Sequence, residues 1–209
     1  MWTLSRPVKS LSIQGVEFGV LAASQVGDAY VAAIRAADVA TQQQRSRTVA
    51  LFVAEHLDVS SASVRVFRNA AGAPKLELAG QHLHLSLARR DDVLLIGLAP
   101  RPVGVDLERL GTALDPPWRV LAPEETAALS AMEDRTARHE AFLRLWTVKE
   151  AALKALGTGF AKDPAATAVA FECGEARVRL SNEVLRTSAI RVERFSCASD
   201  RFVWACVVL

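Results

Sequence analysis

The chain has 209 residues, of which 51% are hydrophobic and 23% are charged, and its formal net charge is +2 at pH 7. This balance excludes an intrinsically disordered chain, which combines low hydrophobicity with high net charge. The small net charge gives no basis for bulk attraction to nucleic acid or to an anionic membrane. Any site that binds an anion must therefore be local.

The length favours one large domain or two small ones that share a core. The first residues lack the charged start, apolar segment and small-residue cleavage site of a secretory signal. A transmembrane helix would need a run of about 18 apolar residues, and the sequence contains none. We therefore expect a cytoplasmic protein that binds neither membrane nor nucleic acid.

The first half of the chain is predicted to contain strands on both sides of a helical region. Apolar residues that largely alternate with small or polar ones predict an extended segment over residues 10–22. Helical spacing of apolar residues predicts two helices within residues 28–57, separated by a polar break at residues 41–45. Short strands are then predicted at residues 64–67, 76–78, 82–86 and 92–99.

The second half is predicted to repeat this order. A strand is expected over residues 103–110, and Pro123 followed by two glutamates marks a helix start. The clearest helix runs over residues 136–156, with Gly157 just beyond its end. Antiparallel strands joined by short turns are predicted at residues 167–173, 176–180, 189–196 and 201–209.

Because the order strand, helices, strands occurs twice, the sequence predicts an α+β fold with two similar lobes. We expect a pseudo-twofold arrangement of residues 1–101 and 102–209, each with an antiparallel sheet packed against helices. No sequence repeat accompanies this pattern, so the prediction depends on the order of elements alone. A cleft between two such lobes is a natural place for a ligand.

The first motif that carries chemistry is Gly-Val-Asp-Leu-Glu at residues 104–108. Side chains alternate along a strand, so Asp106 and Glu108 share one face while Val105 and Leu107 share the apolar one. Two neighbouring carboxylates suit a hard cation such as Mg²⁺, which takes one or two carboxylates together with phosphate oxygens and water. A solvated strand face would show the same pattern, so both interpretations stay open for this motif alone.

The second motif is Trp-Thr-Val-Lys-Glu-Ala-Ala-Leu-Lys-Ala-Leu-Gly-Thr-Gly at residues 146–159. At 100° per residue, Trp146, Glu150 and Lys154 lie along one helix face, with Lys149 beside them. An acid and a base are thus held together on that face. The alternative is a surface salt bridge between Glu150 and Lys154, worth only about 0.3 to 0.5 kcal/mol.

Together, the two motifs resemble the paired signatures of the 4'-phosphopantetheinyl transferase superfamily. All fixed positions of Gly-[Val/Ile]-Asp-[Ile/Leu]-Glu and Trp-x-x-Lys-Glu-[Ala/Ser]-x-x-Lys-x-x-Gly-x-Gly are present. More specifically, the signatures resemble those of the two-lobed, single-chain, surfactin-synthetase-activating type. It implies a magnesium-dependent enzyme that moves the 4'-phosphopantetheine of coenzyme A onto a serine of an apo carrier protein and releases adenosine 3',5'-bisphosphate.

The resemblance also implies roles for individual residues. Asp106, Glu108 and Glu150 would hold Mg²⁺, and Glu150 would take the proton of the acceptor serine, directly or through water. Lys154 and Lys149 would contact oxygens of the diphosphate as point charges. The acceptor could belong to fatty acid, polyketide or nonribosomal peptide synthesis, and one chain with two halves would form the whole site as a monomer.

Weaker resemblances outside the two motifs add Arg47, Thr48 and Ser86 as candidates for contacts with coenzyme A. Further candidates for contacts with its 3'-phosphate are Arg35, Arg45 and Lys75. Two positions depart from the family. Leu87 stands where a phosphate-contacting histidine is common, and a leucine side chain cannot donate a hydrogen bond to an anion. Ala73 stands where a lysine is frequent, although Lys75 could supply that charge.

These departures keep a second interpretation open, in which a catalytically degenerate relative binds coenzyme A or a carrier domain without transfer. The complete set of acids and Lys154 oppose it. A different magnesium-dependent phosphotransferase would need a phosphate-binding glycine loop, and the sequence contains no Walker pattern.

Overall fold

We describe the fold from a computed structural model, in which residues 9–36, 39–78, 83–158, 163–180 and 183–209 are described. Within these ranges the chain has an α+β fold with three helices and several antiparallel sheets, which confirms the predicted class. No helix in the described ranges is long and apolar enough to cross a membrane. Gly159 of the second motif and the start of the predicted strand 82–86 lie outside the described residues.

The described part of the chain contains the helices α1 (Gln42–Leu57), α2 (Pro123–Ser130) and α3 (Arg135–Ala155). Its strands are β1 (Lys9–Ile13), β2 (Val16–Val26), β3 (Ala29–Ala36), β4 (Val64–Arg68), β5 (Pro74–Leu78), β6 (His84–Arg90), β7 (Val93–Ala99), β8 (Val103–Leu110), β9 (Thr167–Glu172), β10 (Glu175–Leu180), β11 (Glu183–Val184), β12 (Ala189–Cys197) and β13 (Asp200–Val208).

The first half forms a five-stranded antiparallel sheet in the order β1-β2-β3-β7-β6. Helix α1 packs on one face of this sheet, where Phe52 and Val53 join a core with Ile34 and Ile96. The β4-β5 hairpin lies against α1. Strand β6 is an edge of the five-stranded sheet, and it contacts β8 of the second half.

The second half is built around the sheet β12-β13-β8, with α3 packed against β8 and β13. The small sheet β11-β10-β9 covers another part of α3. A further core lies between the two large sheets, where Val31 and Leu95 from the first half meet Val105 and Trp204 from the second. One hydrophobic core thus joins the parts of the chain on either side of residue 102.

Two predictions about the first half are wrong. The first predicted helix is the strand β3, whose residues are mostly buried because it lies centrally between β2 and β7. An alanine-rich strand buried on both faces loses the alternation that identifies strands, and its apolar residues mimic helical spacing. The extended segment over residues 10–22 is divided by a turn at Gln14 and Gly15, both with positive φ, into the hairpin β1-β2.

The predicted α3 is confirmed to within one residue at each end. Asp134 accepts hydrogen bonds from the amide N–H groups of Thr136 (2.8 Å) and Ala137 (3.2 Å), which satisfies the first turn. Gly157, with φ of +70°, follows the helix end in the left-handed conformation. Each half has a large sheet backed by a long helix, but the remaining elements of the two halves differ. The similarity of the two halves therefore stays a prediction.

Candidate active site

The candidate site depends on an unusually close approach of α3 to β8 at Gly104. A Cβ atom at this position would lie 1.8 Å from the carbonyl oxygen of Ala151 and 2.5 Å from the amide nitrogen of Ala155. These are backbone atoms of a helix, which cannot give way as a flexible side chain could. Glycine is therefore required here so that α3 can bring Glu150 and Lys154 over the strand that carries Asp106.

The acid cluster, defined as Asp106, Glu108 and Glu150, lies at this contact. The three residues are only 7%, 8% and 7% exposed. Two cations neutralise part of it. Lys154 donates to Oδ1 of Asp106 at 2.7 Å, and Arg90 holds both carboxylate oxygens of Glu108, with 2.7 Å between Nε and Oε2. The structure therefore brings together the four residues that both motifs predicted and adds Arg90.

Two oxygens of the acid cluster are buried without a hydrogen-bond partner in the described part of the chain: Oδ2 of Asp106 and Oε1 of Glu150. An unpaired buried carboxylate oxygen is costly. Hard oxygen donors of this kind fit Mg²⁺. No three metal-binding side chains of the described ranges are already gathered into an ion site. The donor set thus fits a divalent cation, while Lys154 and Arg90 occupy oxygens that such a cation would use.

The electrostatics of the acid cluster follow from burial. Burial raises the pKa of Glu150 from 4.5 to about 7; the charge of Asp106 adds to this rise and that of Lys154 opposes it. Burial also raises the pKa of Asp106, although its contact with Lys154 lowers it in part. Near neutral pH Glu150 can therefore both hold and release a proton, as a general base requires.

Ser86 and Lys149 both have internal partners. The Ser86 hydroxyl oxygen accepts the amide N–H of Val105 at 3.0 Å, which joins β6 to β8. Lys149 is 0% exposed, and its ammonium donates to Glu125 at 2.5 Å and to the carbonyl of Val120 at 3.0 Å. In this conformation the Lys149 ammonium is enclosed by Glu125 and Val120, so its expected contact with phosphate stays a prediction.

Glu125 is a buried structural residue that the sequence analysis missed. Its carboxylate also accepts the amide N–H of Ala122 at 2.7 Å and, with its other oxygen, that of Val169 at 2.7 Å. It thus joins the start of α2, the middle of α3 and the start of β9. The sequence contained a clue to this role. Glu125 lies three residues after Ala122, the residue just before α2, and a glutamate at that position commonly caps the helix start.

A second polar site lies on the other face of β6, in a cleft between α1, the β4-β5 hairpin and β6. We call it the arginine cleft and define it by Arg45, Arg68 and Arg89, which line it together with Phe67 and Pro74. Burial lowers the pKa of Arg45, and the positive charges of Arg89 and Arg68 lower it further. Three guanidinium groups this close together would be stabilised by an anion.

Three of the remaining candidates make contacts elsewhere. Arg35 forms ion pairs with Asp92 at 2.7 Å and Asp200 at 3.7 Å, so it links the β6-β7 turn to the start of β13. Arg47 donates to the carbonyl of Gln14 at 2.8 Å, and Thr48 is buried inside α1. None of these three lines the arginine cleft, whereas Arg45 does. Exposed Lys75 lies in β5, next to Pro74, which lines the cleft.

Arg89 and Arg90 occupy opposite faces at the end of the edge strand β6. Arg89 lines the arginine cleft, while Arg90 contacts the acid cluster. The sequence could have indicated both roles, since Arg89 and Arg90 are consecutive at a strand end and alternation sends consecutive side chains to opposite faces. The departure at Leu87 also falls in this cleft, which Leu87 helps to line.

Comparison with known families agrees with this geometry. The family model of the 4'-phosphopantetheinyl transferase superfamily matches residues 102–207, just over half of the chain, and this range contains the acid cluster and Lys154. No curated protein shows significant similarity to the chain. The chain therefore belongs to the 4'-phosphopantetheinyl transferase superfamily.

Proposed function

We propose that the chain transfers the 4'-phosphopantetheine of coenzyme A to a serine of an apo carrier protein and releases adenosine 3',5'-bisphosphate. Membership of the superfamily points to phosphopantetheinyl transfer. The observation that carries the proposal is the meeting of Asp106, Glu108 and Glu150 with Lys154 at the close contact between β8 and α3. This arrangement places carboxylates and an ammonium group side by side, where a metal-bound diphosphate would react.

The acid cluster would hold Mg²⁺ through Asp106, Glu108 and Glu150. The unpartnered oxygens of Asp106 and Glu150 support this assignment. When bound, Mg²⁺ supplies positive charge to the diphosphate and to the leaving phosphate. Lys154, whose ammonium already lies within the cluster, adds a further positive charge on the same side.

In the proposed reaction the serine oxygen forms a bond to the β-phosphorus of coenzyme A, and the bond from that phosphorus to the bridging oxygen breaks. The electron pair leaves with adenosine 3',5'-bisphosphate, and the serine proton passes to the carboxylate of Glu150. A pKa of about 7 suits this residue to accept a proton near neutral pH. The reaction therefore requires Glu150 in its ionised form at the start.

The arginine cleft is our candidate for the 3'-phosphate end of coenzyme A. Its guanidinium groups lie across β6 from the acid cluster, so one ligand that crosses the strand end could reach both. Arg45, Arg68 and Arg89 would supply the positive charge that Leu87 and Ala73 lack. We therefore replace Arg35, Arg47 and Thr48 in this role with these three arginines, and Lys75 stays a neighbouring candidate.

We also propose the two-lobed, single-chain type within the superfamily. Its support is that each half has one large antiparallel sheet backed by one long helix, with the arginine cleft in the first half and the acid cluster at the junction. A single chain would then provide both parts of the coenzyme A site.

The direct test mixes the purified protein with coenzyme A, Mg²⁺ and a panel of apo carrier proteins, followed by mass spectrometry of the carriers. We expect a carrier to gain the mass of one phosphopantetheine, and we expect EDTA and the variant Asp106→Asn each to prevent the gain. The control is circular dichroism showing that Asp106→Asn stays folded. Equal transfer by this variant would reject the role of the acid cluster.

The second candidate is a degenerate relative that binds without transfer, and the departures at Leu87 and Ala73 favour it. Calorimetric binding of coenzyme A together with no mass gain on any carrier would select this candidate. The intact acid cluster is the observation against it.

A further inference from the structure

Arg90 makes an ion pair that the proposed reaction does not yet use. Its guanidinium holds both oxygens of Glu108, while its side chain stays 46% exposed and that of Glu108 is 11% exposed. The pair crosses from the end of β6 to β8. A planar guanidinium matches a carboxylate with two parallel hydrogen bonds, and it matches a phosphate in the same way.

The three acids differ in which oxygens are free. Asp106 gives one oxygen to Lys154 and keeps Oδ2 unpartnered, and Glu150 keeps Oε1 unpartnered. Glu108 has both oxygens held by Arg90. A divalent cation could therefore use Asp106 and Glu150 without displacing a side chain, but it could use Glu108 only after Arg90 lets go.

We propose that Arg90 is a substrate-binding residue that exchanges partners as coenzyme A binds. Without ligands it holds Glu108; when a divalent cation and the diphosphate of coenzyme A enter, it releases Glu108 and binds a phosphate oxygen. This inference rests on the proposed function. Being half exposed at a strand end, the side chain can turn without unpacking the core.

The exchange has a thermodynamic consequence. A divalent cation that binds alone and takes Glu108 leaves the Arg90 guanidinium unpaired beside it. A cation that takes Glu108 together with the diphosphate gives that guanidinium a new partner. Coenzyme A and the cation therefore strengthen the binding of each other, and the effect is reciprocal. Removing the Arg90 charge should favour the cation alone and weaken coenzyme A.

The test measures Mn²⁺ binding, a spectroscopic substitute for Mg²⁺, by the loss of the free-ion paramagnetic resonance signal, without coenzyme A. Arg90→Met is expected to bind Mn²⁺ about fivefold more tightly than the wild type, which corresponds to about 1 kcal/mol. With Mn²⁺ saturating and no acceptor, the same variant should bind coenzyme A about tenfold more weakly in a calorimetric titration.

Arg109→Met is the matched control. Arg109 follows Glu108 directly and is 52% exposed, but it pairs with Asp200 at 2.6 Å and Asp91 at 3.7 Å. We expect both affinities of this variant to stay within about twofold of the wild type. If Arg90→Met fails to fold, Arg90→Lys serves instead, because it keeps the charge and loses the two-pronged contact; both of its affinities should change in the same directions by smaller factors.

The proposal is overturned if the Arg90 variant binds Mn²⁺ no more tightly than the wild type, or if its affinity for coenzyme A is unchanged. Weaker Mn²⁺ binding would also overturn it, since Arg90 would then help to build the cation site. Failure of the wild type to bind Mn²⁺ or to transfer phosphopantetheine would reject the proposed function itself. A wild type that does both, beside an unaffected Arg90 variant, would reject the exchange alone.

Discussion

Replacing Glu150 by glutamine removes a carboxylate whose ionisation opposes folding. Its pKa is about 7 in the folded protein, against 4.5 for a free glutamate. Each pKa unit corresponds to about 1.36 kcal/mol, so the buried charge costs up to about 3 kcal/mol of folding free energy well above pH 7. Glutamine keeps the shape of the side chain and lacks the charge. Glu150→Gln should therefore be more stable than the wild type at alkaline pH, and inactive.

The sign of the pH dependence follows from proton binding. Because the folded pKa is the higher one, the folded protein holds more protons on Glu150 than the unfolded chain between about pH 4.5 and 7. The free energy of unfolding therefore falls as pH rises through this window, and the loss persists at higher pH. The glutamine variant lacks this contribution.

The assay is urea unfolding of both proteins at pH 5 and pH 8, with EDTA present. We expect Glu150→Gln to gain about 3 kcal/mol at pH 8 and about 1 kcal/mol at pH 5. Glu133→Gln, at an exposed acid ahead of α3, is the control and should change little at either pH. An equal gain at both pH values, or no gain at pH 8, would refute the reasoning from a buried charge.

Three further predictions concern the rest of the site. Gly104→Ala places a Cβ 1.8 Å from the carbonyl oxygen of Ala151, so we expect it to lower the free energy of unfolding by about 3 kcal/mol or more in thermal unfolding. The control Gly111→Ala has open space around it and should be nearly neutral. Equal stability of the two variants would contradict the close contact. Lys149→Met leaves Glu125 buried without its cation and should cost about 3 kcal/mol in urea unfolding, unlike Lys75→Met at the surface. If the folded Lys149→Met protein instead showed only a raised KM for coenzyme A, Lys149 would have the phosphate contact after all. Arg89→Met should lower kcat/KM for coenzyme A about tenfold and leave 3'-dephospho-coenzyme A nearly unaffected, with Arg65→Met of the neighbouring hairpin as control; an equal loss for both substrates would exclude a contact with the 3'-phosphate.

Local patterns in the sequence were sufficient for the elements that carry the chemistry. The alternation in residues 103–110 predicted β8 with Asp106 and Glu108 on one face, and helical spacing with Gly157 at the end predicted the helix that carries Glu150. These predictions succeed because strand alternation, helix spacing and capping depend on residues within a few positions of one another. Strand β3 was missed since its burial on both faces is imposed by neighbours distant in sequence.

The sequence by itself determined the superfamily signatures, the α+β class and the acids and base of the candidate site. Only the tertiary structure decided which charges meet. It enclosed Lys149 with Glu125, brought Arg90 onto Glu108, and gathered Arg45, Arg68 and Arg89 around one cleft. The physical reason is that an ion pair depends on distance in space, and these partners come from elements whose contact is set by packing of the whole core.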